Sequence, residues 1–248
     1  MNKEKIIVAL DVETAGIARQ IITELRGEVG AFKIGLQLFS SAGSSFVREL
    51  VADGIKIFLD VKFHDIPNTV AKAAVEVARM GVWMFNIHTI GGSEMMRKTV
   101  ECVGEVCARE NLRKPTLIGV TVLTSSDSET LHEIGIEREV TAQVLSLAGL
   151  AVKNGLDGVV ASPLETKIIR EQFKKEDFLI VTPGIRNKVS EKSIGIETYE
   201  DQKRVMTAKE AVFNGSDFLV IGRPILHSEN RLATVKNILE EMQTAINN

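Results

Sequence analysis

The segment IKIFLDVKFHDIPNT, residues 55–69, alternates with a period of two. Successive side chains of a β-strand point to opposite faces. Ile55, Ile57, Leu59 and Val61 share one apolar face, suited to lie beneath helices. Lys56, Phe58, Asp60 and Lys62 share the other, which ends in two opposite charges, and Asp65 follows one short turn later. In barrels of parallel strands the reactive groups sit at the C-terminal strand ends. The segment therefore reads as a barrel strand whose tip, carrying Asp60, Lys62 and Asp65, opens on the mouth.

The same rhythm recurs on either side of it. Short β-branched runs at 6–11, 31–35, 56–62, 83–88, 116–123, 158–161, 178–182 and 218–222 alternate with amphipathic stretches. After the first run, Ala15, Ala18, Ile21, Ile22 and Leu25 mark one helical face, and Gly27 supplies a stop. After the third, Asn68 is the expected helix cap and Gly81 the end. After the fifth, Val140, Val144, Leu147 and Ala151 share a face ahead of Gly155, and the last helix carries Leu232, Val235, Ile238, Leu239 and Met242. Eight β-then-α units predict an α/β fold, a single (β/α)8 TIM barrel with residues 1–248 as one domain; a length of 248 residues suits it. An open Rossmann-type sheet is the alternative, but no G-x-G-x-x-G follows the first run. The polar, glycine-containing stretch 184–199 is long enough to serve as a mobile lid.

Thirty basic residues against 33 acidic ones leave a net charge of −3. A nucleic-acid or anionic-membrane partner calls for a basic surplus, so neither is expected, and any anionic ligand must be met by a few placed cations. No apolar run approaches the ~18 residues of a membrane span. The first residues run straight into an apolar strand, which argues against a signal peptide. Cys102 and Cys107, five apart in a helical stretch without neighbouring histidines, read as reduced thiols of a cytoplasmic protein rather than zinc ligands.

Other strand ends are charged or polar too: Asp11 after the first run, Lys33 within the second, His88 after the fourth. A mouth holding Asp11, Lys33, Asp60, Lys62 and Asp65 is costly unless the charges pair. A lone Asp or Lys is usually solvated; the D-x-K-x-x-D cluster at a strand end points instead to catalysis. His64 and His88 read as hydrogen-bonded structural histidines. The seventh run leads into TPGIR, residues 182–186, and the eighth into IGRPI, residues 221–225. Barrels commonly bind phosphate at those two loops. Glycine allows close approach of backbone N–H groups and arginine supplies a planar fork, so Arg186, Gly222 and Arg223 are expected phosphate ligands. Pro224 suits the first turn of a short helix, and Gln202 is a candidate amide donor.

With these residues in view, the chain resembles the bacterial orotidine 5′-phosphate decarboxylases over essentially its whole length. The motifs that carry the resemblance are VALDVE, FKIGLQLF, FLDVKFHDIPNTV, VTVLTS, VTPGIR, DQKRV and LVIGRPI, of which the third is the most specific. The resemblance implies conversion of orotidine monophosphate to uridine monophosphate and CO2, with no metal or other cofactor, in a homodimer with shared sites. It implies that Lys33, Asp60, Lys62 and Asp65 form an alternating charged tetrad and that Lys62 protonates the carbanion at C6. Asp11 would bind the ribose with Lys33; Asp65, Ile66 and Thr69 would reach into the neighbouring subunit's site; Thr124 would touch the base end. Arg186, Gln202, Gly222 and Arg223 would hold the phosphate. One departure is Met206-Thr207-Ala208, where relatives often have proline third, at an expected helix start away from the chemistry.

Two rivals remain at this level. The magnesium-dependent 3-keto-L-gulonate 6-phosphate decarboxylase and hexulose-phosphate synthase group shares the barrel and the D-x-K-x-x-D strand end. It is similar in outline but places a glutamate metal ligand where Lys33 stands, and a lysine would repel the metal. A catalytically silent sugar-phosphate-binding barrel would not need the full lysine–carboxylate set. No pyridoxal phosphate, thiamine or flavin motif is visible.

Overall fold

The computed structural model describes residues 2–174, 177–186 and 204–246. Eight strands close into a barrel in sequence order: β1 (Ile6–Ala9), β2 (Ala31–Gly35), β3 (Ile57–Phe63), β4 (Met84–His88), β5 (Thr116–Val120), β6 (Gly158–Val160), β7 (Leu179–Thr182) and β8 (Phe218–Ile221). Each pairs in parallel with its neighbours, and β8 returns to β1. The connecting helices are α1 (Ala15–Leu25), α2 (Leu36–Ala52, interrupted at Gly43), α3 (Pro67–Arg79), α4 (Gly92–Glu110), α5 (Ser128–Glu133), α6 (Val140–Lys153), α7 (Thr166–Gln172), α8 (Ala208–Phe213), α9 (Arg223–Leu226) and α10 (Arg231–Ile246). The barrel and its eight β-runs are thus as the residue pattern predicts.

The period-two alternation builds two apolar layers. Inward-facing Ile7, Ala9, Ala31, Phe58, Met84, Ile118, Val181 and Val220 plug the barrel. Outward-facing Val8, Ile34, Ile57, Leu59, Phe85 and Ile87 pack against helical residues such as Ile21, Leu25, Val70 and Val77. Burying each large apolar side chain stabilises by about 1.5–3 kcal/mol. The plug also decides where charge can go. Two residues above Ala9, Ala31 and Phe58 on the same face stand Asp11, Lys33 and Asp60, so the charged layer begins where the plug ends.

Three expectations are corrected. Lys56, expected to point into the barrel, precedes β3 and is exposed, with Nζ 3.3 Å from Glu4 Oε2; at that depth the interior is apolar and a charge finds its partner at the lower rim. Asn68 does not cap α3: Ile66 holds the cap position with no side-chain bond, and Pro67 opens the helix. Proline has no N–H to satisfy and its fixed φ is already helical, so the helix starts without an Asn cap. Several runs end earlier as strands than expected, leaving Asp11, Leu123, Ala161 and Gly222 past the strand ends and lining the mouth cavity.

Other local features follow the pattern. Gly81 and Gly155 end α3 and α6 at φ 76° each, a left-handed conformation that disfavours a Cβ. At the departure site, Thr207 caps α8 through a reciprocal capping box with Glu210. Cys102 and Cys107 are free thiols on α4. Among the described residues no helix is long and apolar enough to cross a membrane.

Candidate active site

The inward face of the first three strands brings the predicted charges together. The ladder sets Ala9 beside Lys33 and Gly35 beside Asp60. Lys33 Nζ lies 3.0 Å from Asp11 Oδ1 and 3.4 Å from Asp60 Oδ2, and Lys62 Nζ lies 2.7 Å from Asp60 Oδ1. Asp60 therefore bridges two ammonium groups while only 9% exposed. Burial alone would favour a neutral Lys33, but the Asp60 and Asp11 carboxylates outweigh it and raise its pKa above the ordinary lysine value. Burial likewise opposes ionisation of Asp60, yet Lys33, Lys62 and the hydrogen bonds from Lys62 and Asn86 hold it below the usual carboxylate range. Both groups stay charged at neutral pH. A Cβ added at Gly35 would stand 3.0 Å from Lys33 Nζ and 3.4 Å from Asp11 Oδ1, so a side chain there would crowd this pair.

The cluster lines a cavity of about 450 Å3 at the barrel mouth. Its floor is the apolar plug, through Ala9, Phe58 and Val220. Its rim adds Thr124 after β5, Gly184 and Arg186 after β7, and Gly222 and Arg223 after β8. Gly184 has φ 82°, which favours glycine in the TPGIR turn. Arg186 Nη2 is buried with no hydrogen-bond partner among the described residues. Buried guanidinium donors are normally satisfied, so this one has capacity for an anion. Gly222 precedes the short helix α9, with Pro224 in its first turn.

Other predicted residues are not at this cavity. Asp65, Ile66 and Thr69 are exposed and do not line it. Asp65 Oδ1 accepts the Ile66 N–H at 2.6 Å, and Ile66 is 67% exposed. Gln202 and most of the stretch expected as a lid, 184–199, lie outside the described residues. The flanking residues Ile185 and Met206 are joined by a parallel bridge.

The histidine expectation is corrected. His88 Nδ1 is buried without a hydrogen-bond partner among the described residues, and its ring packs against His64 at 5.6 Å between centroids. Burial, then the neighbouring His64 and Lys62, push its pKa down to about 4. His88 is thus a neutral ring packed on another ring, with Nδ1 not hydrogen-bonded as expected.

Two sets of residues carry roles that pattern reading did not assign. Asn86 is fully buried on β4. Its Nδ2 donates to Asp60 Oδ1 at 2.6 Å and its Oδ1 accepts the Lys62 N–H at 2.9 Å. The signal available was a lone amide at an inward position of β4, between the apolar Phe85 and Ile87. Arg204, within the DQKRV motif, donates to Glu165 Oε1 at 2.7 Å and to the Leu123 carbonyl at 2.8 Å. That pair ties the turn before Thr124 to the loop after β6.

Comparison with known proteins gives a consistent result. A family model described as orotidine 5′-phosphate decarboxylase / HUMPS matches residues 4–238. An orotidine 5′-phosphate decarboxylase of Syntrophotalea carbinolica is 50% identical over 244 residues, covering 98% of this chain and 97% of that protein. One of Geobacter metallireducens is 49% identical over 240 residues, covering 97% and 96%. A crystal structure of orotidine 5′-phosphate decarboxylase from Lactobacillus acidophilus superposes with a TM-score of 0.81 at 36% identity, covering 96% of this chain and 98% of that one.

Proposed function

The chain belongs to the orotidine 5′-phosphate decarboxylase / HUMPS family, and within it we infer a decarboxylase that converts orotidine 5′-phosphate to uridine 5′-phosphate and CO2 without a cofactor. The observation that carries this reading is Asp60 held between the Lys33 and Lys62 ammonium groups, 3.4 and 2.7 Å away, at the mouth of the barrel.

Loss of CO2 from orotidine 5′-phosphate leaves an electron pair in an sp2 orbital at C6, with no adjacent electron sink. The site must therefore lower the barrier by an amount near the top of the usual ~8–23 kcal/mol range. Fixed positive charge does this when it is aimed at the atom where negative charge develops. The C6–carboxyl bond breaks, its electron pair stays on C6, and CO2 departs. Lys62 then gives a proton to C6, and its neutral amine regains one from water. Asp60 beside the substrate carboxylate would also repel it, but that ground-state effect is a contested contribution. The stronger role of the carboxylates is to hold the lysines in place and, for Lys33, to keep it charged.

The remaining assignments are those the family resemblance implies, and the cavity lining supports them for Asp11, Lys33, Thr124, Arg186, Gly222 and Arg223. Asp11 and Lys33 bind the ribose, Thr124 meets the base, and Arg186, Gln202, Gly222 and Arg223 hold the phosphate. Phosphate binding, remote from C6, supplies energy that orders the reacting groups. Residues 1–248 act as one catalytic domain, in the cytoplasm, as a dimer in which Asp65, Ile66 and Thr69 complete the partner's site.

The magnesium-dependent branch is disfavoured by the donor set. Lys33 Nζ already lies 3.0 and 3.4 Å from two carboxylates, the position a divalent ion would need. Absorbance loss of orotidine 5′-phosphate on adding purified protein, with and without EDTA, tests both points. Equal rates in the two arms are expected. Inhibition by chelator that Mg2+ restores would overturn the cofactor-free reading, and no absorbance change in either arm would overturn the decarboxylase itself.

The phosphate assignment has its own test. Arg223→Ala should raise KM strongly and lower kcat/KM by about 2–4 kcal/mol. The loss should largely vanish with orotidine, which lacks the phosphate. An equal loss on both substrates would show that Arg223 serves something other than the phosphate.

A further inference from the structure

We infer that Asn86 is a positioning residue for the decarboxylation, holding the backbone of Lys62 and the carboxylate of Asp60 at once so that the Lys62 ammonium is fixed at C6. The inference rests on the assignment of Lys62 as proton donor.

The tip of β3 departs from regular strand geometry. The β3–β4 register runs regularly from Phe58–Met84 to Leu59–Phe85, then shifts, so that Phe63 meets Ile87. Such a bulge disrupts the ladder and re-aims a side chain. Within it Lys62 takes φ 53°, a left-handed conformation uncommon for a residue with a side chain. Conformations of this kind persist only where the surroundings over-determine them. Asn86 supplies that constraint, because its Oδ1 accepts the Lys62 N–H at 2.9 Å.

The other half of the same amide addresses the carboxylate. Asn86 Nδ2 and Lys62 Nζ converge on Asp60 Oδ1, at 2.6 and 2.7 Å, while Asp60 Oδ2 faces Lys33 at 3.4 Å. The contacts form a closed loop from the Lys62 backbone through Asn86 and Asp60 to the Lys62 ammonium. The backbone of the lysine is thereby tied to the fully buried Asn86 directly, and its ammonium through Asp60. The amide orientation is dictated by its partners, since the flipped form would set oxygen against the carboxylate and N–H against N–H. Asn86 does not line the cavity, so it acts through Asp60 and Lys62 and not on substrate. Asparagine fits because it offers a donor and an acceptor on one short planar group.

The test compares Asn86→Ala with Asn86→Asp, with Lys62→Ala as a control in the same assays. Asn86→Ala should lower kcat roughly 10–100-fold, the usual consequence of removing a group that orients a reacting one. Affinity for a uridine 5′-phosphate analogue carrying an oxyanion at C6 should fall by a similar factor. Affinity for uridine 5′-phosphate itself should change by less than about threefold, because ribose and phosphate contacts are untouched. A native kcat, or equal losses for analogue and product, would overturn the inference. Asn86→Asp keeps the acceptor for the Lys62 N–H and provides a reading even if the alanine variant does not fold. Its introduced carboxyl can donate to Asp60 only when protonated, so the ratio of variant to native kcat should fall as pH rises; a flat ratio would also overturn the inference. If Lys62→Ala keeps its kcat, the proton-donor assignment fails whatever Asn86 does. If Lys62→Ala is inactive and Asn86→Ala is native-like, the positioning role alone fails.

Discussion

Lys62→Ala should abolish turnover while the protein still folds and still binds nucleotide. Two contributions disappear together. Removing one donor aimed at developing charge usually costs about 10²–10³-fold in kcat, and losing a general acid costs about 10²–10⁴-fold. A combined loss of about 10⁴-fold or more is expected. The fold should survive because Asp60 is not left alone: it keeps Lys33 at 3.4 Å and the Asn86 amide at 2.6 Å. Alanine also retains a Cβ, so the left-handed backbone at this position is strained no more than before. Uridine 5′-phosphate binding, measured by calorimetry, and the thermal midpoint should stay close to native. The fall should appear in kcat, in single-turnover as well as steady-state assays, so that product release is excluded as its cause. A kcat within about tenfold of native would mean that another acid protonates C6, with Lys33 the nearest ammonium group to consider.

How much of this site could be read from residues alone is clearest on β3 and β4. The period-two alternation of residues 55–62 correctly places Phe58 in the plug and Asp60 and Lys62 at the mouth, because plug and mouth are layers of one face. The same alternation mistakes Lys56, since parity says which face a residue occupies but not how deep the water reaches. The bulge between Leu59 and Phe63 has no local signature: no glycine marks it, and the left-handed residue is a lysine. Asn86 is invisible for a related reason. Its meaning depends on the strand beside it, and a buried amide between Phe85 and Ile87 says only that some partner must exist. Arg204 and Glu165 are 39 residues apart in sequence, and their pairing needs the barrel to close before it can be seen. The placing of Arg186, Gly222 and Arg223 at the mouth was more legible, because glycine and arginine after two successive strands have a local rationale. Gln202 lies outside the described residues and stands on the resemblance alone.

Mixing two inactive variants should restore activity if the site is shared between subunits. The structure motivates this through what is missing from the cavity lining. Asp65 lies past the end of β3, exposed, with its carboxylate turned to the Ile66 N–H. Ile66, on the same turn, is 67% exposed, and Ile90, after β4, is 44% exposed. The two turns lie side by side, the His64 and His88 rings packing 5.6 Å apart between centroids. A rim that presents a carboxylate among exposed apolar side chains suits a two-fold contact in which each subunit gives Asp65 to the other. Lys62→Ala and Asp65→Ala should each be nearly inactive alone. When equal amounts exchange subunits, random pairing makes about half the dimers mixed. In each mixed dimer, the Lys62→Ala barrel receives the damaged turn of its partner and stays inactive. The other barrel combines an intact Lys62 with an intact Asp65, so about a quarter of all sites should recover. If Asp65 serves its own chain, every site in a mixed dimer carries one lesion and activity stays at background. Background activity with exchange confirmed by native mass spectrometry, or an Asp65→Ala homodimer that turns over normally, would place Asp65 outside the partner's site and remove the reason for a dimer to be needed for catalysis.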